Sequence, residues 1–223
     1  MICHLPPLRV AAVAFGFAGC GGGGGSGGAT SGGNSGTTDT ATQTNTYLPV
    51  SLGSTWTYNY YSGSTSSTKT QKITANANNQ ITQENNDTSS GKSVDIINIS
   101  NGAYYLESIT KYDATGIMTS KKIYTPAPGQ WFFPASIAIG TKQSQTVQIN
   151  SQPTNTNSTI SFDMTVVGTA AITVPAGTFN NALKIETTLQ GITYTSWFAQ
   201  NVGLIRQDFN GTKSFELVSY SIK

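Results

Sequence analysis

Thiols, imidazoles and carboxylates are the side chains that could do covalent or acid–base chemistry here, and the first two are nearly absent. The chain holds two cysteines, Cys3 and Cys20, and one histidine, His4. Once the N-terminal segment is removed, as argued below, Cys20 is the one thiol left and no imidazole remains. A lone thiol forms no intramolecular disulfide. Zinc sites of Cys and His ligands and Ser-His-Asp or Cys-His catalysis are excluded with it. Ten acidic residues stay. A carboxylate hydrolase would need two of Glu84, Asp95, Glu107, Asp163, Glu186 and Glu216 across a cleft, ~5–10 Å apart, and nothing in their spacing pairs them. The expectation is a non-enzymatic protein with no metal, no cofactor and no catalytic residue.

Cys20 stands in a context that gives a thiol another use. Arg9 and the amino terminus precede a short apolar run, Val10 to Ala18, which ends in Phe17-Ala18-Gly19-Cys20. That run is far below the ~20 residues needed to span a bilayer, so residues 1–19 read as a signal peptide. The Phe17–Cys20 stretch resembles the lipobox of bacterial lipoproteins. The resemblance implies that the Cys20 thiol takes a diacylglycerol, that cleavage falls before it, and that the new amino group is acylated. Two or three acyl chains hold a protein to a membrane, whereas one gives marginal attachment. The alternative is an ordinary secretory peptide cut near Ala18 or Ala29. Gly21 does not resemble the Asp-type signal that retains lipoproteins in the inner membrane, so an outer-membrane, cell-envelope location is expected, with the face left open.

Residues 20–46 follow as a Gly, Ser and Thr tract with almost nothing to bury. It reads as a flexible tether with an r.m.s. reach of roughly 25–30 Å. Residues 47–223 are then one domain, long enough for a sizeable core. Only 10% of the chain is charged, against ~25% in typical soluble domains. Its polar surface must therefore be Thr, Ser, Asn and Gln, which with Tyr, Ile and Val favours strands. The bases are scattered and form no stripe that would track a phosphate backbone, so nucleic acid is not an expected partner.

Within the domain, Asn101-Gly102 and Asn210-Gly211 each separate two β-prone runs and predict type I′ hairpins. Asp113 to Gly116 and Gln190-Gly191 are further turn candidates. Ile160, Phe162, Met164 and Val166 alternate with polar residues, as do Leu183, Ile185, Thr187 and Leu189, and Trp56, Tyr58 and Tyr60 share a face. The pattern predicts an all-β fold, an antiparallel meander of about ten strands forming a strongly curved sheet, half-barrel or barrel.

Three local patterns recur in order: Tyr47-Leu48-Pro49…Gly53-Ser54-Thr55-Trp56-Thr57-Tyr58, then Val174-Pro175-Ala176-Gly177-Thr178-Phe179, then Ala199-Gln200-Asn201-Val202-Gly203-Leu204. Together they resemble a group of uncharacterised exported β-sheet proteins and lipoproteins of bacteria, which supplies no catalytic residues. More distantly, the expected architecture is similar to the curved sheets of periplasmic lipoprotein carriers. Taken as residues, Pro175 and Gly177 make a turn with Phe179 beneath it, and Gly203 suits a bulge. The aromatics read mainly as core. Their functional alternative is an apolar ligand site using Trp56, Tyr58, Trp131, Phe133 and Trp197, with the segment 125–135 as a lid. The expected partners are a membrane through the lipid anchor and an apolar ligand or envelope protein.

Overall fold

A computed structural model describes residues 47–223. The signal peptide, Cys20 and the tether lie outside the described residues.

The chain forms thirteen strands: β1 (Thr55–Ser62), β2 (Thr65–Ala77), β3 (Gln80–Asp87), β4 (Gly91–Ser100), β5 (Ala103–Tyr112), β6 (Met118–Thr125), β7 (Gln130–Phe133), β8 (Lys142–Gln152), β9 (Thr156–Val174), β10 (Gly177–Leu189), β11 (Ile192–Ala199), β12 (Gly203–Phe209) and β13 (Thr212–Ser221). No helix occurs among the described residues. Every pairing is antiparallel. β4 pairs with β5 and β1 with β13, so twelve strands close into a barrel and β7 is the extra one. The all-β, strongly curved sheet is the expected architecture in its closed form, with more strands than the ten anticipated. Closure removes the open edges that would template aggregation.

The hairpins form where turn chemistry placed them. Asn101 and Gly102 have φ of 50° and 77°, and Asn210 and Gly211 of 46° and 78°, the paired positive angles of a type I′ turn. Gln190-Gly191 repeats the pattern, and Asp113 closes its turn through an N–H bond to the Ile117 carbonyl at 2.9 Å.

The ring is not uniform. β5 is shared along one edge: Ser108–Tyr112 pair with β6, while Tyr104–Leu106 pair with β7. The 125–135 segment is therefore partly wall, with Phe132 and Phe133 buried, rather than a lid over a face. β8 pairs with β6 only from Gln148 onward, which leaves its first half facing β7 without a backbone ladder. Gln145 bridges that seam, accepting from Trp131 N at 2.7 Å and donating to the Gly129 carbonyl at 3.0 Å. A second split separates β12 from β13, whose pairing runs only from Arg206–Glu216 to Phe209–Thr212. The tip of the long β9–β10 hairpin reaches that split, where Ala176 N donates to the Leu217 carbonyl at 3.0 Å. Pro175 and Gly177 make the tip, and Phe179 packs partly buried on the core.

Phe133 meets Phe198 edge-on at 5.0 Å, joining β7 to β11 from far sides of the ring. Leu48, Trp56, Ile73, Ile81, Ile97, Leu106, Phe133, Phe198 and Leu217 are all buried in one core cluster inside the barrel. The outer face carries Ser, Thr and Lys, as in Ser66, Thr68, Thr70 and Lys72 of β2.

Candidate functional site

Directly opposed residues of antiparallel strands share a face, so the register reads out the inner wall. One inward row runs Trp56–Gln71–Asn85–Ser93–Lys111–Ser120 across β1 to β6. The next runs Ile73–Gln83–Asp95–Ile109–Lys122–Ser151. A third begins Tyr58–Lys69–Asp87. These rows of the inner wall of β2 to β6 are therefore largely polar, with Ile73 and Ile109 as their apolar members on β2 and β5. Across the lumen, β9 to β13 present Phe162, Met164, Val166, Leu183, Ile185, Ile205, Phe215 and Leu217, all buried, interrupted by a Gln207–Ser196 hydrogen bond at 3.0 Å.

Lys69, Gln71, Gln83, Asn85 and Asp95 of this wall are buried, Lys122 is half-buried and Lys111 exposed, and the buried part is incompletely satisfied. Asn85 donates to Asp95 Oδ2 at 2.9 Å and accepts from Gln83 at 2.9 Å. Asp95 Oδ1, Gln71 Oε1 and the Tyr124 hydroxyl are enclosed with no hydrogen-bond partner. Burial lifts Asp95 to about 6 against the opposing pull of Lys69, the Asn85 bond and Lys111. Lys69 is depressed by burial, with Lys111 adding to the effect and Asp95 and Asp87 resisting it. Its ammonium lies over the Phe215 ring, 5.2 Å from the centroid. Tyr124 is raised by burial and then by Asp95. Lys122 is lowered by burial and then by Lys111. Removing ionisable groups from water disfavours their charged forms, and the wall holds several.

The aromatics singled out from sequence do not form one site. Trp56 and Tyr58 are buried and tie down the split in the ring, donating to the Val202 carbonyl at 2.8 Å and the Leu204 carbonyl at 3.1 Å. Phe133 is fully buried against Phe198. Trp131 and Trp197 are half-buried, opposite Tyr105 and Arg206 in register. Arg206 stacks on Trp197 at 5.1 Å while holding Asp208 through two bonds of 2.8 and 2.7 Å. The first three face inward and the last two outward.

Of the six candidate acids, Asp95 alone is on the buried inner wall. Glu84 pairs with Lys92 at 2.9 Å, Glu186 with Lys184 at 2.6 Å and Glu216 with Lys213 at 2.9 Å. Glu107 accepts from Asn98 at 2.9 Å, and Asp163 is bonded by Ser144. Among the described residues no three His, Cys, Asp or Glu side chains are grouped to hold a metal. An open groove of about 670 Å³ lies outside the barrel along Glu84, Asn86, Lys92, Tyr112 and Asp113.

The sequence reasoning missed the polar wall. Its inward residues on β2 and β3 are Lys69, Gln71, Gln83 and Asn85, which break no hydrophobic pattern because none is there. The one readable signal was Asp95, a carboxylate set inside the apolar run Val94-Asp95-Ile96-Ile97.

Residues 118–222, just under half of the chain, match the model of a DUF3108-like family. The match runs from β6 to β13; the polar rows on β2 to β5 lie before it. A solved structure from Parabacteroides distasonis, described as a "putative lipoprotein", is similar to this chain at 17% identity and a TM-score of 0.44, covering 79% of this chain and 99% of that one. No curated protein matches.

Proposed function

We propose that this is a lipid-anchored protein of the bacterial cell envelope, held through Cys20 in the outer membrane, whose non-enzymatic barrel binds a ligand by its inner surface. The observation that carries the binding half is the division of the lumen into a polar wall around Lys69 and Asp95 and an apolar wall on β9 to β13. Such a surface suits a molecule with one polar and one apolar part. Trp56, Tyr58 and Phe133 would meet the apolar part, and the outward Trp131 and Trp197 would serve contact with an envelope protein. The anchor half rests on Phe17-Ala18-Gly19-Cys20 after a short apolar run, followed by a tract of Gly, Ser and Thr.

Two measurements test the reading. Mass spectrometry of an organic extract of freshly purified native protein should return a co-purified amphiphile; an empty extract overturns the carried-ligand half. Cys20→Ala should move the chain from the membrane fraction to the soluble one. If the variant stays with the membrane, the anchor half fails.

A further inference from the structure

The groove of about 670 Å³ on the outer face lies between the turn that joins β3 to β4 and the turn that joins β5 to β6. Its strand residues are in lateral register: Glu84 opposes Val94, Lys92 opposes Tyr112, and Tyr112 in turn opposes Met118. Val94 and Tyr112, both half-buried, give the groove an apolar strip. The strip runs on to Ile117 and Met118, 65% and 44% exposed. Of the exposed large apolar residues described, these two alone are adjacent in sequence. A single exposed apolar side chain needs no explanation, whereas a run continuous with a cleft marks a contact surface. Charge is uneven here, with three carboxylates against one ammonium. Lys92 is held by Glu84 at 2.9 Å. Asp87 and Asp113 make no ion pair among the described residues. Each gives one oxygen to its own turn: Asp87 Oδ1 accepts from Ser89 N at 2.8 Å, and Asp113 Oδ1 from Thr115 N at 2.9 Å and Ile117 N at 3.0 Å. The Thr115 and Ile117 bonds hold the Asp113 carboxyl below its ordinary value. At Asp87 burial acts upward, and the Ser89 bonds with the charge of Lys69 outweigh it. Both carboxylates are therefore ionised at neutral pH.

We infer that this groove docks a basic, partly apolar peptide segment of a partner protein. Its apolar residue lies on the strip of Val94, Tyr112 and Met118, and its Lys or Arg side chains meet Asp87 and Asp113. A carboxylate accepts at both oxygens, so the turn bonds leave each of these acids capacity for a guanidinium or ammonium. The Tyr112 ring offers a cation a second attraction, and aromatic and arginine side chains are the ones enriched at protein contacts. A groove open along its length holds a segment by one side, unlike the enclosed cleft that buries most of a small ligand. The carboxylates choose the partner by repelling acidic segments, while the apolar strip supplies the burial. The inference concerns the outer face and rests on neither the lumen reading nor the anchor.

The test is fluorescence anisotropy of a labelled peptide, Arg-Leu-Arg-Leu-Arg, titrated with the full chain at low salt. Binding should saturate and weaken as sodium chloride is raised. Glu-Leu-Glu-Leu-Glu, with the charge reversed, and Arg-Gly-Arg-Gly-Arg, with the apolar groups removed, should bind far more weakly. Asp87→Asn/Asp113→Asn keeps the accepting oxygen of each turn and removes both charges; it should weaken half-saturation about fivefold. Ile117→Ser/Met118→Ser, at exposed positions where the fold has little at stake, should weaken it about tenfold. Glu186→Gln and Ile139→Ser, elsewhere on the surface, should leave it unchanged. If the aspartate pair does not fold, the Ile117 and Met118 pair decides. In NMR spectra the Gly91 and Gly116 amides should shift on binding, and those of Gln83 and Asp95 on the inner wall should not. No saturable binding, equal binding by the arginine–glycine peptide, or binding that survives both double variants overturns the site. Spermidine that moves the same two glycine amides at lower concentration than the peptide overturns the peptide in favour of a small cation.

Discussion

The indole N–H of Trp56 donates to the Val202 carbonyl at 2.8 Å, so a side chain from β1 supplies a bond that β13 does not make to β12. Tyr58 repeats the device two residues on, at 3.1 Å to the Leu204 carbonyl. Trp56→Phe, which leaves a buried carbonyl unsatisfied, should cost about 1–3 kcal/mol, and Tyr58→Phe about 0.5–1.5 kcal/mol. Urea denaturation measures both. Because the two bonds close one split, the double variant should depart from additivity by at least ~0.5 kcal/mol.

Gln145 does with one carboxamide what a short ladder would do between β7 and β8. Gln145→Leu should lower stability by about 1–3 kcal/mol and raise the exchange rate of the Trp131 amide selectively. Gln145→Glu keeps an acceptor for Trp131 N but sets a carboxylate against the Gly129 carbonyl. It should be weaker than the parent at neutral pH and recover as the medium is acidified. Amide exchange followed by NMR separates the variants.

Asp95 sets a pH dependence of stability. Its folded value of about 6 lies above its ordinary value of 3.8, so between those limits the folded chain holds a proton that the unfolded chain has released. Stability should then fall as pH rises from about 4 to about 6 and level off above, by up to roughly 2–3 kcal/mol. Asp95→Asn should flatten this interval and exceed the parent in stability at pH 7. A parent profile flat over the interval, measured by denaturation at fixed ionic strength, would contradict the assignment.

Gly129 has φ of 118°, and a Cβ there would sit against the Leu106 carbonyl. Gly63, at φ 61° in the β1–β2 turn, has open space around it. Gly63→Ala should cost about 1 kcal/mol, the left-handed penalty alone, whereas Gly129→Ala should cost at least about 3 kcal/mol. Comparison of their denaturation midpoints checks the difference.

Sequence was most informative where one physical effect dominated. Paired Asn-Gly steps have few conformations to choose from, and Asn101-Gly102 and Asn210-Gly211 turned where expected. Phe162, Met164 and Val166 against Leu183 and Ile185 likewise read as one buried face. β2 to β4 gave no such reading. Their inward Lys69, Gln71, Gln83, Asn85 and Asp95 are polar, so period two carries no hydrophobic contrast, and the turn at Asn78-Asn79, with φ of 54° and 60°, lacks the usual glycine. Nor could composition tell that Trp56 and Tyr58 serve the split ring by their polar atoms. That depends on where β12 leaves β13, a relation across 146 residues.

The pairing of Thr55 with Ser221 makes the last strand the keystone of the first. Twelve strands can form hairpin by hairpin, but β1 keeps a bare edge until β13 arrives, and pairings of such sequence separation form slowly. A chain that emerges N-terminus first therefore exposes that edge until its last strand is free. Loss of residues 212–223 would remove the strand that covers it, turning a closed barrel into an open sheet with two adhesive margins, β1 and β12.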